Sequence, residues 1–510
     1  MAETMMAVKR SPVTLEAFMH SVGLNKPDSI QPLINRELEA SEEPADEAQR
    51  FASSLAAVVF NLDQHGKFDK QSIRELIAKI DALIEAQVNE VVHHPKFQEL
   101  ESAWRSIADL DAKVNYAANI DVSLLDVTKK ELGDEFDMNG ADVAGTELFK
   151  KVYVAEYDQF GGEPYGAMIG LYDFDSSRED IDWLSKMGKV ARAAHAPFIA
   201  SVSPEFFKCK TFAEVNQLRD IAGMMANPRY GAWNALRDSN EAAYLGLTLP
   251  RYLVREPWQQ EAGRNRVQFK ESITNPVDGV RADASDPQVL ANDYLWGSAA
   301  MLLGRNLAKS FEGSRWCQYI RGVKGGGLLQ GLPTHSYELR GERLLRAPTE
   351  ISMPDYRELE LANAGFIPLI HRKGSADAVF FSVQSLKVAK EFADPKDSEN
   401  SQLTTNLSYT FSVSRIAHYI KCLMRDNIGS SANGAYIREQ IDAWISRFVT
   451  TIVNPDDLTL RYFPFKAYSL DVKEIEGKVG WYHCNLSILP HIQFEGMNVD
   501  LRVDARLGST

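Results

Sequence analysis

Apolar residues early in the chain recur at helical spacing. From Asp69 onward Ile73, Leu76, Ile77, Ile80, Leu83, Ile84, Val88 and Val91 predict one amphipathic helix whose stripe has to pack on this chain or on a partner. His94-Pro95 opens a second helix, proline being suited to a first turn whose N–H groups have no helical acceptor. On it Phe97, Leu100, Trp104, Ile107, Leu110 and Val114 form the expected buried side. Glu101 and Arg105 are spaced for an i,i+4 ion pair on the solvent side.

The pattern then changes. Residues 119–128, 165–172 and 197–202 read as strands, with a helix over 180–194 between the last two, an order that predicts an α/β core. A long apolar helix over about 289–311 and the glycine-rich 322–331 follow. The final stretch predicts helices near 412–426 and 435–449, then strands at 468–476, 480–489 and 499–505, with Gly477-Lys478 at a hairpin turn. The fold class expected is multi-domain α+β: a helical region over 1–92, a central α/β domain over 93–400 and a C-terminal α+β domain over 401–510.

Composition narrows the function classes. The 510 residues are 45% hydrophobic and 25% charged, the balance of a globular protein with sizeable cores. A net charge of −14 argues against a global role on nucleic acid or anionic lipid. No stretch has the length of a membrane span, the start lacks the apolar core of a secretory signal, and Cys209, Cys317, Cys422 and Cys484 lie far apart. The expectation is a cytoplasmic protein with reduced thiols and no membrane contact.

Candidate chemistry is sparse. In the glycine-rich segment Lys324 precedes the glycines and no Ser or Thr follows, so it reads as a sharp turn with close backbone approach and not as a phosphate loop. Asp173 and Asp175 end an apolar run as in some magnesium phosphohydrolases, but the supporting lysine and second acidic pair have no identifiable positions. His93-His94, and His483-Cys484 with His491, do not supply four zinc ligands at short spacing. No cofactor, metal site or enzymatic activity is expected. One feature remains, on the helix near 412–426. Ile416, Tyr419, Ile420, Leu423 and Met424 fall on one side, and Arg415, His418, Lys421 and Arg425 on the other. On an acidic protein this basic stripe reads as a docking ridge for an acidic partner.

Several ordered segments resemble one family. They are HPKFQELESAWR from His94, AAHAPFIASVSP from Ala193, IRGV from Ile320, GLPTH from Gly331, GFIPL from Gly365 and SRIAHYIKCLMRD from Ser414. Together they resemble the large subunit of the type VI secretion contractile sheath from about residue 90 to the end. The resemblance implies a cytosolic structural protein of a Gram-negative bacterium. It implies heterodimers with a small sheath subunit that polymerise around a tube of stacked hexameric rings and contract to propel it. Further implied partners are other sheath subunits through strand exchange, a baseplate, and an AAA+ unfoldase acting mainly through the small subunit. The C-terminal region resembles the inner layer shared with phage tail sheaths.

Within that frame Arg415, His418, Lys421 and Arg425 are expected to face the tube. Ile73, Ile77, Ile80 and Ile84 are expected to pack on the small subunit. Val122, Leu124, Val472, Leu486, Val499 and Leu501 are candidates for inter-subunit strands. The alternatives are a phage-tail-like or extracellular contractile particle sheath, and a phosphohydrolase using Asp173 and Asp175.

Overall fold

The computed structural model describes residues 70–140, 142–259, 269–271, 294–339, 342–394, 398, 401–427, 433–450, 452, 455–474, 482–491 and 501–506. The predicted stripe helix is α1 (Lys70–Val92). It belongs to a compact unit that also contains Trp258–Glu271, where the Trp258 N–H donates to the Glu271 carboxylate at 2.8 Å. Ile77 and Ile84 are exposed on α1 and Ile80 is half-buried, while the side chain of Ile73 lies outside the described residues.

In the second unit, α2 (Pro95–Lys113) starts with proline in its first turn as expected. Its orientation corrects the sequence reading: Phe97, Leu100 and Trp104 are exposed, Trp104 to 59%, while Ser106 and Leu110 are buried. Polar anchors set that orientation. Ser102 donates to the Trp296 carbonyl at 2.7 Å, Tyr252 to Ser106 at 3.2 Å, and Arg305 to Asp109 at 3.0 Å. Glu101 does pair with Arg105 at 2.7 Å, but it is almost buried and also binds Arg255 at 2.8 Å, so the pair is a tether and not solvent decoration. The expected buried side holds in the second half of the helix, where Leu110 and Val114 are buried and Ile107 packs against them, whereas the first half leaves its apolar residues outward.

Residues 119–128 are a second correction. Asn119, at φ 57°, closes a short 3-10 turn, and the chain then runs to Thr128 with no regular secondary structure and without joining a strand ladder among the described residues. A capping box follows, Thr128 and Glu131 each bonding the other's backbone N–H, and starts α3 (Lys129–Asn139).

The central α/β core is borne out. Strands β1 (Met168–Phe174), β2 (Phe198–Val202), β3 (Leu245–Leu249) and β9 (Phe366–His371) are parallel neighbours in that order. Antiparallel β10 (Ala378–Phe380) and β6 (Leu328–Leu329) complete the sheet. β2 and β3 are buried at every position, because α4 (Arg178–Ala194) and α5 (Gly231–Asp238) cover one face and α6 (Ala299–Ser314) the other. Two-stranded ribbons β4 (Tyr252–Leu253) with β5 (Trp296–Gly297), and β7 (His335–Leu339) with β8 (Glu342–Arg346), lie outside this sheet.

The C-terminal core is built on α8 (Leu407–Asp426), preceded in chain order by α7 (Asp355–Asn363) and followed by α9 (Gly434–Ile445) and α10 (Asp457–Tyr462). Strands β11 (Phe465–Glu474), β12 (Tyr482–Pro490) and β13 (Leu501–Arg506) form an antiparallel sheet with β12 in the middle. The predicted hairpin turn at Gly477-Lys478 and Val499 lie outside the described residues. Helix α8 belongs to two cores. Leu407 and Phe411 sit in the central core, and Ile416, Ile420 and Met424 pack with Ile437, Ile441, Leu486 and Ile488 in the C-terminal one.

The glycine-rich segment is the close backbone approach that was expected. Gly322 N–H donates to the Phe380 carbonyl at 2.7 Å and Phe380 N–H to the Gly327 carbonyl at 3.1 Å, lashing the turn onto β10. Gly326 has φ +91° and a Cβ there would lie 2.0 Å from the Tyr319 carbonyl oxygen, whereas a Cβ on Gly322, at φ +67°, meets nothing. Gly322→Ala is therefore expected to cost about 1–2 kcal/mol of backbone strain alone. Gly326→Ala should cost upward of about 3 kcal/mol, because backbone has to move. Urea midpoints of the two variants check the order, and equal losses would contradict the crowding argument.

Candidate interaction surfaces

The predicted basic stripe exists on α8, but it is not a solvated ridge. Arg415 turns inward, its guanidinium 4.8 Å from the Phe311 ring centre and 4.9 Å from that of Trp316. His418 is half-buried and its Nε2–H donates to the Ala194 carbonyl at the end of α4, 2.9 Å away. The expectation that these two present charge outward is corrected: Arg415 stacks on rings and His418 seals the junction of α4 with α8. Lys421 and Arg425, one and two turns on, reach the surface but are already engaged.

What engages them is a feature with no sequence prediction behind it. Residues Lys150–Tyr157 form a π-helix, marked by the Asp158 N–H donating to the Tyr153 carbonyl at 2.8 Å, and such helices are uncommon. Phe149, Tyr153 and Tyr157 form an aromatic ladder along it, with ring centres 4.7 and 5.3 Å apart. Buried Tyr157 lies against both His195 and His418, at 6.0 and 5.4 Å. The loop that follows crosses α8. Asp158 pairs with Lys421 at 2.7 Å, the Gln159 carbonyl accepts from Arg425, and the Arg425 guanidinium lies 5.9 Å from the Phe160 ring. Aromatic residues at positions 149, 153 and 157, four apart, were the available signal.

His195 ends α4 in the left-handed conformation, φ 50°, with its Nδ1 3.0 Å from the Tyr244 hydroxyl and its ring 6.4 Å from that of His418. Burial pushes both imidazoles down to about 4, and for His195 the neighbouring His418, Arg192 and Lys421 add to that.

The 119–128 segment carries the other exposed group. Val122, Leu124 and Leu125 are 37%, 61% and 51% exposed, while Ile120 packs inward and Tyr172 fixes the far end by donating to the Val127 carbonyl at 2.7 Å. In the C-terminal sheet, Val472 lies on edge strand β11 and Leu501 on edge strand β13. Leu486 differs from these two in its place within the sheet. It is buried on central β12, which already pairs on both sides.

The chemical alternatives gain no supporting geometry. Asp175 accepts from the Ser177 N–H and donates its own N–H to Asp180, each at 2.7 Å, and Asp180 binds Lys129 at 2.7 Å, which is the hydrogen bonding of a helix-entry turn. His491 Nε2 lies 3.2 Å from the Thr450 carbonyl, and Cys484 is buried with its thiol pushed up to about 11, first by burial and then by Asp471. The Lys324 carbonyl accepts from Arg461 of α10 at 3.1 Å. Among the described residues no three or more His, Cys, Asp or Glu converge as a metal site, and no helix is long and apolar enough to cross a membrane.

Comparison with known proteins matches the chain to a family. The tail sheath N-terminal domain of the EvpB/VC_A0108 family matches residues 74–387, and its tail sheath gpW/gp25-like domain matches residues 396–507. The type VI secretion system sheath protein TssC1 of Pseudomonas aeruginosa is 36% identical over 446 residues, covering 86% of each chain. Among solved structures, a chain in the cryo-EM structure of the anti-feeding prophage baseplate aligns with TM-score 0.33 and 11% identity. That alignment covers 77% of this chain and 81% of the other, and at that score it carries no argument.

Proposed function

Since the chain belongs to the EvpB/VC_A0108 (VipB) family of type VI secretion tail-sheath proteins, we propose that it is the large subunit of a cytoplasmic contractile sheath, paired with a separate small subunit. The observation that carries this reading is α2, which spends its polar side on its own domain and leaves Phe97, Leu100 and Trp104 outside. Exposed apolar faces of this kind mark surfaces that are buried on assembly. The stripe of α1, including Ile77, Ile80 and Ile84, fits the small subunit by the same argument, and Ile73 continues it in sequence.

Polymerisation would proceed by strand sharing, for which the 119–128 segment and the edge strands β11 and β13 are the candidates, since an unpaired edge accepts a further strand. Lys421 and Arg425 are the tube-facing pair in this reading. Arg415 and His418 hold the helix that presents them. No chemistry on this chain is needed if the extended sheath is assembled metastable and contraction runs downhill. Baseplate attachment and recycling by an unfoldase, mainly through the small subunit, complete the proposed cycle.

Negative-stain microscopy of the chain alone and co-expressed with its neighbouring small-subunit candidate is the direct test. Hollow tubules only on co-expression are expected, and discrete particles in both samples would overturn the heterodimeric reading. Charge reversal at both Lys421 and Arg425 should leave heterodimers intact and sharply reduce tube-filled sheath. Unchanged filling would remove the tube assignment.

A further inference from the structure

Lys421 and Arg425 are held by a carboxylate, a backbone carbonyl and an aromatic ring, all from one short loop of the same chain. The loop runs from buried Tyr157 to Tyr165, which packs on the central core, so both ends are fixed by packing and the middle by its contacts with Lys421 and Arg425. Asp158 and Gln159 are exposed, and Phe160 is 77% exposed although it is the apolar residue at the tip. Gly161, at φ +81° with open space where a Cβ would be, and Gly162 follow directly. The Glu163 N–H closes the base by donating to Glu156 at 2.9 Å. The loop thus touches the basic pair through one carboxylate, one carbonyl and the Phe160 ring, and leaves most of that ring exposed.

We propose that Lys421, Arg425 and Phe160 form a binding surface for a carboxylate-bearing segment of another chain, and that the 158–163 loop is its resident occupant, displaced when that segment arrives. The loop supplies the recognition pattern: one carboxylate at Lys421 and one carbonyl at Arg425, as an extended acidic segment would offer. An exposed ion pair is weak, so an incoming segment with two or more carboxylates outcompetes a loop with one at this position. Phe160 stays available as an apolar contact when the loop lifts at Gly161-Gly162. The surface also shields charge before assembly, which limits pairing of the basic helix with the acidic surfaces of other copies.

This rests on the tube-facing reading of Lys421 and Arg425 for the identity of the partner, but not for the competition itself. The test uses full-length chain with its small subunit and a fluorescent poly-glutamate peptide as probe. Asp158→Asn is expected to tighten probe binding roughly two- to fivefold at low salt, the range an exposed ion pair supports. The gain should vanish in an Asp158→Asn, Lys421→Gln, Arg425→Gln variant and fade with added salt. No tightening in Asp158→Asn, or the same tightening without the basic pair, would overturn the proposal. Tube-filled sheath is counted in parallel. More filling in Asp158→Asn supports the tube as the partner, whereas tightened probe binding with unchanged filling retires the tube reading and leaves the competition standing.

Discussion

Leu124→Asp with Leu125→Asp is expected to leave the isolated fold intact and to stop sheath growth. Both side chains are more than half exposed, so the substitutions should shift stability by no more than about 0.5 kcal/mol. The backbone around them is neither helix nor strand and, among the described residues, joins no ladder, which makes it a candidate to pair with a strand from another subunit. Burial of each leucine on assembly would contribute about 1.5–3 kcal/mol, and an aspartate in its place would add the cost of desolvating a charge. A loss of that size recurs at every subunit, so even a partial effect per contact becomes an all-or-none effect on a polymer. Thermal unfolding and heterodimer purification check that the chain is sound, and electron microscopy of the co-expressed complex reads assembly. Wild-type tubules from the double variant would remove residues 119–128 from the inter-subunit contacts. Val122, on the same stretch and 37% exposed, should give a weaker version of the same defect.

The contrast between this segment and the central sheet shows what the sequence encodes legibly. The run of β2 is apolar because both faces are covered, and a run of that kind can be read without knowing its neighbours. The segment at 119–128 has the composition of a strand but joins no strand ladder among the described residues, since composition reports what a residue tolerates and not whether a partner is present. Helix α2 misled in the opposite direction. Its apolar periodicity was real, but Ser102, Ser106 and Asp109 docked the other side onto β5, the residue Tyr252 and α6, and those partners are about 150 to 200 residues away in sequence. The basic stripe was legible as a pattern of charge on α8. Its occupation by Asp158 and Gln159 was not, because a contact across more than 260 residues leaves no periodicity. The turn at Gly326 was legible, since few sequences other than glycine permit that backbone.

Acidification supplies the second large effect, through His195 and His418. In the native state both rings are neutral: they are pushed down to about 4 by burial, and they face each other, Tyr157, Tyr244, Arg192, Arg415 and Lys421 across the junction of α4, the π-helix and α8. In the unfolded chain each would titrate near its ordinary value of about 6.5. Between those limits the unfolded state binds protons that the native state refuses, so their contribution is fully present above about pH 6.5 and is lost as pH falls toward 4. The loss is on the order of 3 kcal/mol for each histidine, less whatever the two share through mutual repulsion. His195→Asn keeps a residue that tolerates the left-handed φ, and His418→Gln keeps an N–H in reach of the Ala194 carbonyl, so the double variant retains the junction without its titration. Urea midpoints taken across that pH window should fall steeply for the wild type and more gently for the variant, the remaining slope coming from carboxylates elsewhere. Parallel slopes would show that the imidazoles accept protons in the native state, and the junction of α4 with α8 would then have to open at mildly acidic pH without any cost in stability.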